Sequence, residues 1–401
     1  MSKKNRKWLV FTIMCLAYMP GSYAQYQLSV YAPELIQSFG LTTSQFSSLF
    51  TAPMIVAIFL SFVGGMISDK VGSKRVINIS FVIAGIGMIG RVFANSYMPF
   101  FLCMALTGFS NMFVNINASK ITASWFEQEK LGILMGIFAF CGQLPGAFAT
   151  ATTAVLFDSR TSAFIVSAIF CISVFVLWLL FVKDKPEDTM EEREKIDQEN
   201  QPSIGDSLKV VLSNKGIWLV SICIMMALGS TVTLSTFMPM ALQTMYGIDL
   251  KVCGTIASML TLGNCIGSIT GPIVFSKIKN VKVFVSGAAV LSFAGIIMCW
   301  RFPSIFVLHI LVLYTGIMLG ASMPIFLSAP VLLEGLGTKY AGSAAGVIST
   351  LQLLGAVLIP TYILTPIAGE NYSLLFMLAS ICMVIVFLCG LLLPQFGNNQ
   401  K

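Results

Sequence analysis

Long apolar stretches broken by short polar or charged turns run the length of the chain. They repeat on a scale of about twenty residues, the number a helix needs to cross hydrocarbon. They lie at 8–30, 44–67, 76–94, 98–119, 132–156, 161–182, 216–240, 252–275, 283–300, 303–328, 341–366 and 371–393, which predicts twelve helical spans, numbered 1 to 12 in chain order. Within them polar residues recur at spacings of three and four, a stripe along a helix. Span 1 carries Cys15, Tyr18, Ser22, Gln25 and Ser29 in one stripe, and span 4 carries Met104, Gly108, Asn111 and Asn115 in another. Thr231 and Ser235 stand one turn apart in span 7, while span 10 offers Gly316 and Gly320 with little polarity. The pattern predicts an all-α membrane protein.

Composition and charge add an orientation. The 401 residues are 56% hydrophobic and only 10% charged, with a mean hydropathy of +0.86, so the bilayer is the solvent. With both termini in the cytoplasm, all of the 24 Lys and Arg fall on the cytoplasmic side except Arg91, Arg160, Lys251 and Arg301, as the positive-inside bias requires. The net charge of +7 therefore reports the topology of a multi-pass inner-membrane protein and implies no nucleic-acid partner. Lys3, Lys4, Arg6 and Lys7 before a run ending Ser22-Tyr23-Ala24 have the outline of a signal peptide. Cleavage would leave the repeat described next without its first helix, so the run is read as span 1. Ten cysteines sit singly, one histidine is present, and no hydrolase or phosphate-cradling motif occurs. Neither a metal, a cofactor nor an enzymatic activity is expected.

Residues 183–215 interrupt the apolar pattern with Lys183-Asp184-Lys185-Pro186-Glu187-Asp188 and a further charged run, which reads as a cytoplasmic linker. It divides the chain into residues 1–182 and 216–401, six spans each. An internal repeat agrees. Gln143-Leu144-Pro145-Gly146-Ala147 returns as Gln352-Leu353-Leu354-Gly355-Ala356 at an offset of 209, and Thr107-Gly108 and Gly21-Ser22 return as Thr315-Gly316 and Gly229-Ser230 at 208. Matches at nearly one offset on equivalent spans point to two parallel halves. Counting about 1.5 Å per residue places Gln143 and Gln352 about 15 Å deep, at the bilayer centre.

Between spans 2 and 3 the chain reads Gly64-Gly65-Met66-Ile67-Ser68-Asp69-Lys70-Val71-Gly72-Ser73-Lys74-Arg75. This G-x-x-x-D-[RK]-x-G-x-[RK]-[RK] pattern resembles the signature loop of the major facilitator superfamily. The resemblance implies two pseudo-symmetric six-helix halves in a monomer, rocking around a midplane site lined by spans 1, 4, 7 and 10. It implies conformational roles for Gly65, Asp69, Lys70, Gly72, Lys74 and Arg75, and a gating role for Lys120 at the inner end of span 4. Candidate solute contacts are then Tyr18, Ser22, Gln25, Tyr26, Asn111, Asn115, Gln143, Thr231, Ser235 and Gln352.

Finer resemblances diverge. The span 4 exit, with Glu127, Glu129, Lys130 and the following Gly132, looks like that of nitrate, cyanate and oxalate/formate carriers, yet no base sits at mid-depth. Gln25-Tyr26, Gln143 and Gln352 resemble the span 1, 5 and 11 glutamines of choline and ethanolamine carriers, but span 7 supplies hydroxyls where those place an aromatic ring. All acids other than Asp69 lie in loops or at span ends, so no membrane carboxylate is available to carry a coupling proton. His309 is the remaining candidate for proton coupling. Arg91, near the outer end of span 3, is expected to snorkel to the interface. The reading is a transporter moving a small polar organic solute, an anion or zwitterion among them, by uniport or exchange. A choline-like carrier and a nutrient sensor with a carrier's fold are the alternatives.

Overall fold

The computed structural model describes residues 3–126, 128–182, 204–333 and 336–395. Among them every regular element is helical. Eleven helices, corresponding to spans 2 to 12, are long and apolar enough to cross a membrane. Span 1 departs from the expected continuous helix. It is built from α1 (Lys3–Ala17) and α2 (Met19–Val30), with Tyr18 in a turn between them. The cause is local: Pro20 opens α2, and a proline has no N–H to return to the carbonyl one turn earlier.

Spans 2 and 3 are the helices Thr43–Val71 and Ser73–Phe93, joined by Gly72 alone. Its φ of 94° lies where a Cβ is strained, so this position of the signature loop requires glycine. Ser68, buried one turn before it, accepts a hydrogen bond from Asn117 of span 4 at 3.0 Å. Gly65, Asp69 and Lys70 fall in the span 2 helix, and their side chains lie outside the described residues. So do Glu127, Glu129, Lys130, Gly132 and residues 183–203 of the expected linker, which leaves the helix Ile204–Ser213 as the described part of that segment.

The described residues up to 182 group with Ile248–Ser258 at the start of span 8, and those from 204 to 247 group with Met259 onward. Sequence order alone assigns Ile248–Ser258 to the second half. In the first unit, spans 2 and 3 pack on span 4, and α2 packs on span 5. Gly254 meets the Thr150 carbonyl there, 2.3 Å from where its Cβ would stand. An apolar cluster including Met14, Ile77, Phe81, Val114, Phe138 and Trp178 fills the interior. In the second unit, span 7 packs on spans 11 and 12, and span 9 on spans 10 and 12.

Small residues set the closest approaches in both units, as expected where lipid supplies no hydrophobic drive between helices. A Cβ on Gly108 of span 4 would lie 2.4 Å from the Pro53 carbonyl of span 2. Its repeat counterpart Gly316 of span 10 would lie 2.2 Å from the Leu260 carbonyl of span 8. The same glycine thus brings the same pair of spans together in each half. Large apolar side chains such as Phe59, Phe148, Leu180 and Phe306 are 65–74% exposed, faces that only lipid covers without cost.

Candidate functional site

The break in span 1 organises the candidate site. Asn111 of span 4 meets the first turn of α2 there. With its amide turned to suit its surroundings, Nδ2 donates to the Tyr18 carbonyl (3.1 Å), while Oδ1 accepts from the Ser22 hydroxyl (2.9 Å) and the Ser22 N–H (3.1 Å). Gly21 makes room for it, since a Cβ there would lie 2.5 Å from the nearest atom of the Asn111 amide. Asn111→Leu is therefore expected to lower the thermal stability of the purified protein by about 1–3 kcal/mol, the cost of orphaned buried polar groups. An unchanged melting curve would show that the bridge carries no weight.

Span 5 seats the aromatic rings beside the break. Tyr18 stacks on Phe138 with centroids 4.8 Å apart, and a Cβ at Gly142 would lie 2.0 Å from its ring. One turn on, Gly146 faces the Tyr26 ring at 3.0 Å, and Tyr26 meets Phe50 edge-on at 5.4 Å. Gln143 stands between the two glycines in sequence and is half-buried. Tyr18, Ser22, Tyr26, Asn111 and span 5 are thus brought together within one unit.

Other candidates are engaged elsewhere. Gln25 is buried, and its Nε2 donates to the Phe50 carbonyl of span 2 at 2.8 Å. Asn115, one turn from Asn111, and Lys120 are exposed on span 4. In the second unit Thr231 donates to the Ala227 carbonyl of its own helix at 2.8 Å, and Ser235 is 7% exposed. Gln352 is half-buried in the helix Gly337–Leu358, close to Gly355, which approaches the Met225 carbonyl of span 7. His309 turns a ring nitrogen to the Ile305 carbonyl one turn earlier, at 2.8 Å.

Two features escaped the hydropathy pattern. Span 11 passes into a π-helical segment, Ile359–Leu364, with Pro360 at its start. Arg91, expected to snorkel, is instead 1% exposed. Its guanidinium points inward to the Ala24 carbonyl and Gln27 of α2 and to Ser167 of span 6. The signal available in sequence was a lone base inside an apolar run, which fits both outcomes. Among the described residues no three His, Cys, Asp or Glu side chains gather as a metal site.

Comparison with known proteins bears on this geometry. The model of a family described as Major Facilitator Superfamily matches residues 10–360. The chain is 23% identical to the probable sulfoacetate transporter SauU of Cupriavidus necator, over 85% of this chain and 83% of the relative. It is 22% identical to a galacturonate transporter of Dickeya chrysanthemi, over 74% and 90% of the two. It is 21% identical to the membrane sensor protein UhpC of Escherichia coli, over 98% and 93%. Among solved structures, a bacterial homologue of the human lysosomal transporter Spinster superposes with a TM-score of 0.77 at 12% identity, covering 97% of this chain and 96% of that one. The nucleoside transporter NupG gives 0.77 at 15% identity, covering 96% and 99%.

Proposed function

Because the chain belongs to the Major Facilitator Superfamily, and is thus a multi-pass membrane protein and small-solute secondary transporter rather than an enzyme, we propose that its solute is a small organic anion. The observation that carries this reading is the break in span 1 at Tyr18, about ten residues or 15 Å into the span, amid Ser22, Tyr26, Asn111 and Gln143. The positive end of the α2 dipole lies at this break, offset in part by the negative end of α1, and Gln143 beside it can donate to a carboxylate or sulfonate, so an anion needs no buried base there. The names of the sulfoacetate and galacturonate relatives support the same solute class.

Transport proceeds by alternating access of two halves, 1–182 and 216–401, joined through 183–215 in a monomer. The protein lies in the bacterial inner membrane with both termini cytoplasmic. Gly65, Asp69, Lys70, Gly72, Lys74 and Arg75 set the conformational equilibrium, and Lys120 gates the inner end of span 4. Uniport or exchange fits the lack of a membrane carboxylate, with His309 as the one group through which a proton could act.

The test is flux into proteoliposomes of labelled galacturonate and sulfoacetate, with choline as the competing class. Uptake of an acid, accelerated by unlabelled acid on the far side and indifferent to choline, is the expected result. Uptake of choline alone would overturn the solute class. Gln143→Ala and Gln352→Ala should each weaken binding of the carried acid by about 1–3 kcal/mol if both amides contact it. Unaltered affinity with a lower melting temperature would assign them to helix packing. A second reading has its own support, because a relative that matches 98% of this chain is named a membrane sensor. Saturable binding of galacturonate or sulfoacetate without net flux or exchange would favour the sensor.

A further inference from the structure

The first unit contains a buried cation that the site does not use. Arg91 stands in the last turn of the span 3 helix. Its Nη1 donates to the Ala24 carbonyl at 2.9 Å, and its Nη2 donates to Gln27 Oε1 at 2.8 Å and to the Ser167 hydroxyl. Gln27 in turn donates to the Ala163 carbonyl of span 6 at 3.2 Å. The Phe164 ring lies 4.3 Å from the guanidinium carbon, and Met104 Sδ is 3.9 Å from Nη1. Among the described residues no carboxylate pairs with it.

Removing an unpaired charge from water is costly. A leucine or methionine would fill the same space between spans 1, 3 and 6 without that cost. What an arginine adds is direction, a planar fork of donors that fixes its acceptors in angle as well as distance, reinforced by the ring face. Two of its acceptors, the Ala24 carbonyl and Gln27, lie on α2, as do Ser22, Gln25 and Tyr26. The inner half α1 is held differently, through buried Val10, Ile13 and Met14 and through Trp8 and Phe11 against Phe126. Apolar contacts of that kind are less directional than a guanidinium fork and tolerate sliding.

We propose that Arg91 is a positioning residue for transport. It pins α2 to spans 3 and 6, so that the break at Tyr18 is a joint between a fixed outer half bearing solute contacts and an inner half free to tilt. This rests on the transport reading above.

The experiment compares purified wild type, Arg91→Met, Arg91→Lys and Gln27→Leu by hydrogen exchange and by flux of labelled galacturonate and sulfoacetate in proteoliposomes. In Arg91→Met the amides of residues 19–30 should exchange about tenfold faster, with spans 9 and 12 unchanged. KM for the carried acid should rise about tenfold with a smaller change in turnover. Arg91→Lys should recover part of both effects. Gln27→Leu should shift both in the same direction and add little to Arg91→Met, since the two side chains form one unit.

Wild-type exchange in α2 overturns the proposal, as does faster exchange with a wild-type KM. A uniform rise in exchange across the first unit, with KM unchanged and a lower melting temperature, assigns Arg91 to packing and also overturns it. Should Arg91→Met fail to fold, the same criteria apply to Gln27→Leu. If wild type carries neither acid, the solute assignment fails, and unchanged α2 exchange in Arg91→Met still sinks the pinning role.

Discussion

Gly316→Leu is expected to remove nearly all folded protein. Gly316 of span 10 places the Leu260 carbonyl 2.2 Å, the Asn264 nitrogen 3.0 Å and the Gly263 Cα 3.0 Å from where its Cβ would stand. Every one of these obstacles is main chain of span 8, which cannot swing aside as a side chain can. The contact also extends beyond one residue. Gly263, Gly267 and Gly271 on span 8 and Gly320 on span 10 would each bring a Cβ to 2.1–2.3 Å from a carbonyl of the partner helix. Overpacking of even one methyl costs about 1–3 kcal/mol in a close-packed interior, and a leucine must part the two helices along the whole stripe. Monodisperse yield and melting temperature in detergent are the measurements. Gly287→Ala is the control, because nothing lies within 4 Å of its Cβ position. It should be neutral or stabilising by up to about 1 kcal/mol. A Gly316→Leu protein with wild-type yield and stability would show that the close approach is not needed.

Gly142→Ala is expected to leave a folded protein whose transport is reduced about tenfold or more, the scale of effect when a site group is displaced by an ångström. Here the obstacle is a side chain. The new methyl would lie 2.0 Å from the Tyr18 ring, and Phe138 stacked at 4.8 Å limits where the ring can go. Tyr18 must therefore leave its seat at the span 1 break, while the helix backbones keep their spacing. Flux kinetics on reconstituted protein check this, together with the double variant Gly142→Ala, Tyr18→Ala. Because both changes act on one ring, their effects should be far from additive. Wild-type KM and turnover in Gly142→Ala would mean that the position of Tyr18 is irrelevant to transport.

Much of this molecule is legible residue by residue. The spans, the glycine at position 72, the repeat and the signature loop follow from local composition. Gly72 is a clear case, since the one-residue connection it makes needs a positive φ whatever surrounds it. The candidate site was legible only as a set of faces. The span 1 stripe named Tyr18, Ser22 and Gln25 together, yet Gln25 is engaged with the Phe50 carbonyl. Asn111, read as a solute contact, bridges the main chain of a broken helix. Pro20 was in plain view in the sequence, but Pro53, Pro145, Pro239 and Pro272 lie inside continuous helices, so a proline in mid-span does not by itself announce a break.

What the sequence by itself determined is everything measured against the bilayer: which segments are apolar enough and long enough to cross, which ends carry the basic residues, and that the chain repeats itself. Those are one-dimensional properties, because the membrane sorts residues by depth alone. Tertiary structure decided which polar groups answer one another. The carbonyl opposite Gln25, the amide opposite the span 1 break and the acceptors that draw Arg91 inward all come from other spans. Spacing along one helix fixes the face a side chain occupies, and only the packing of helices fixes what stands across from it.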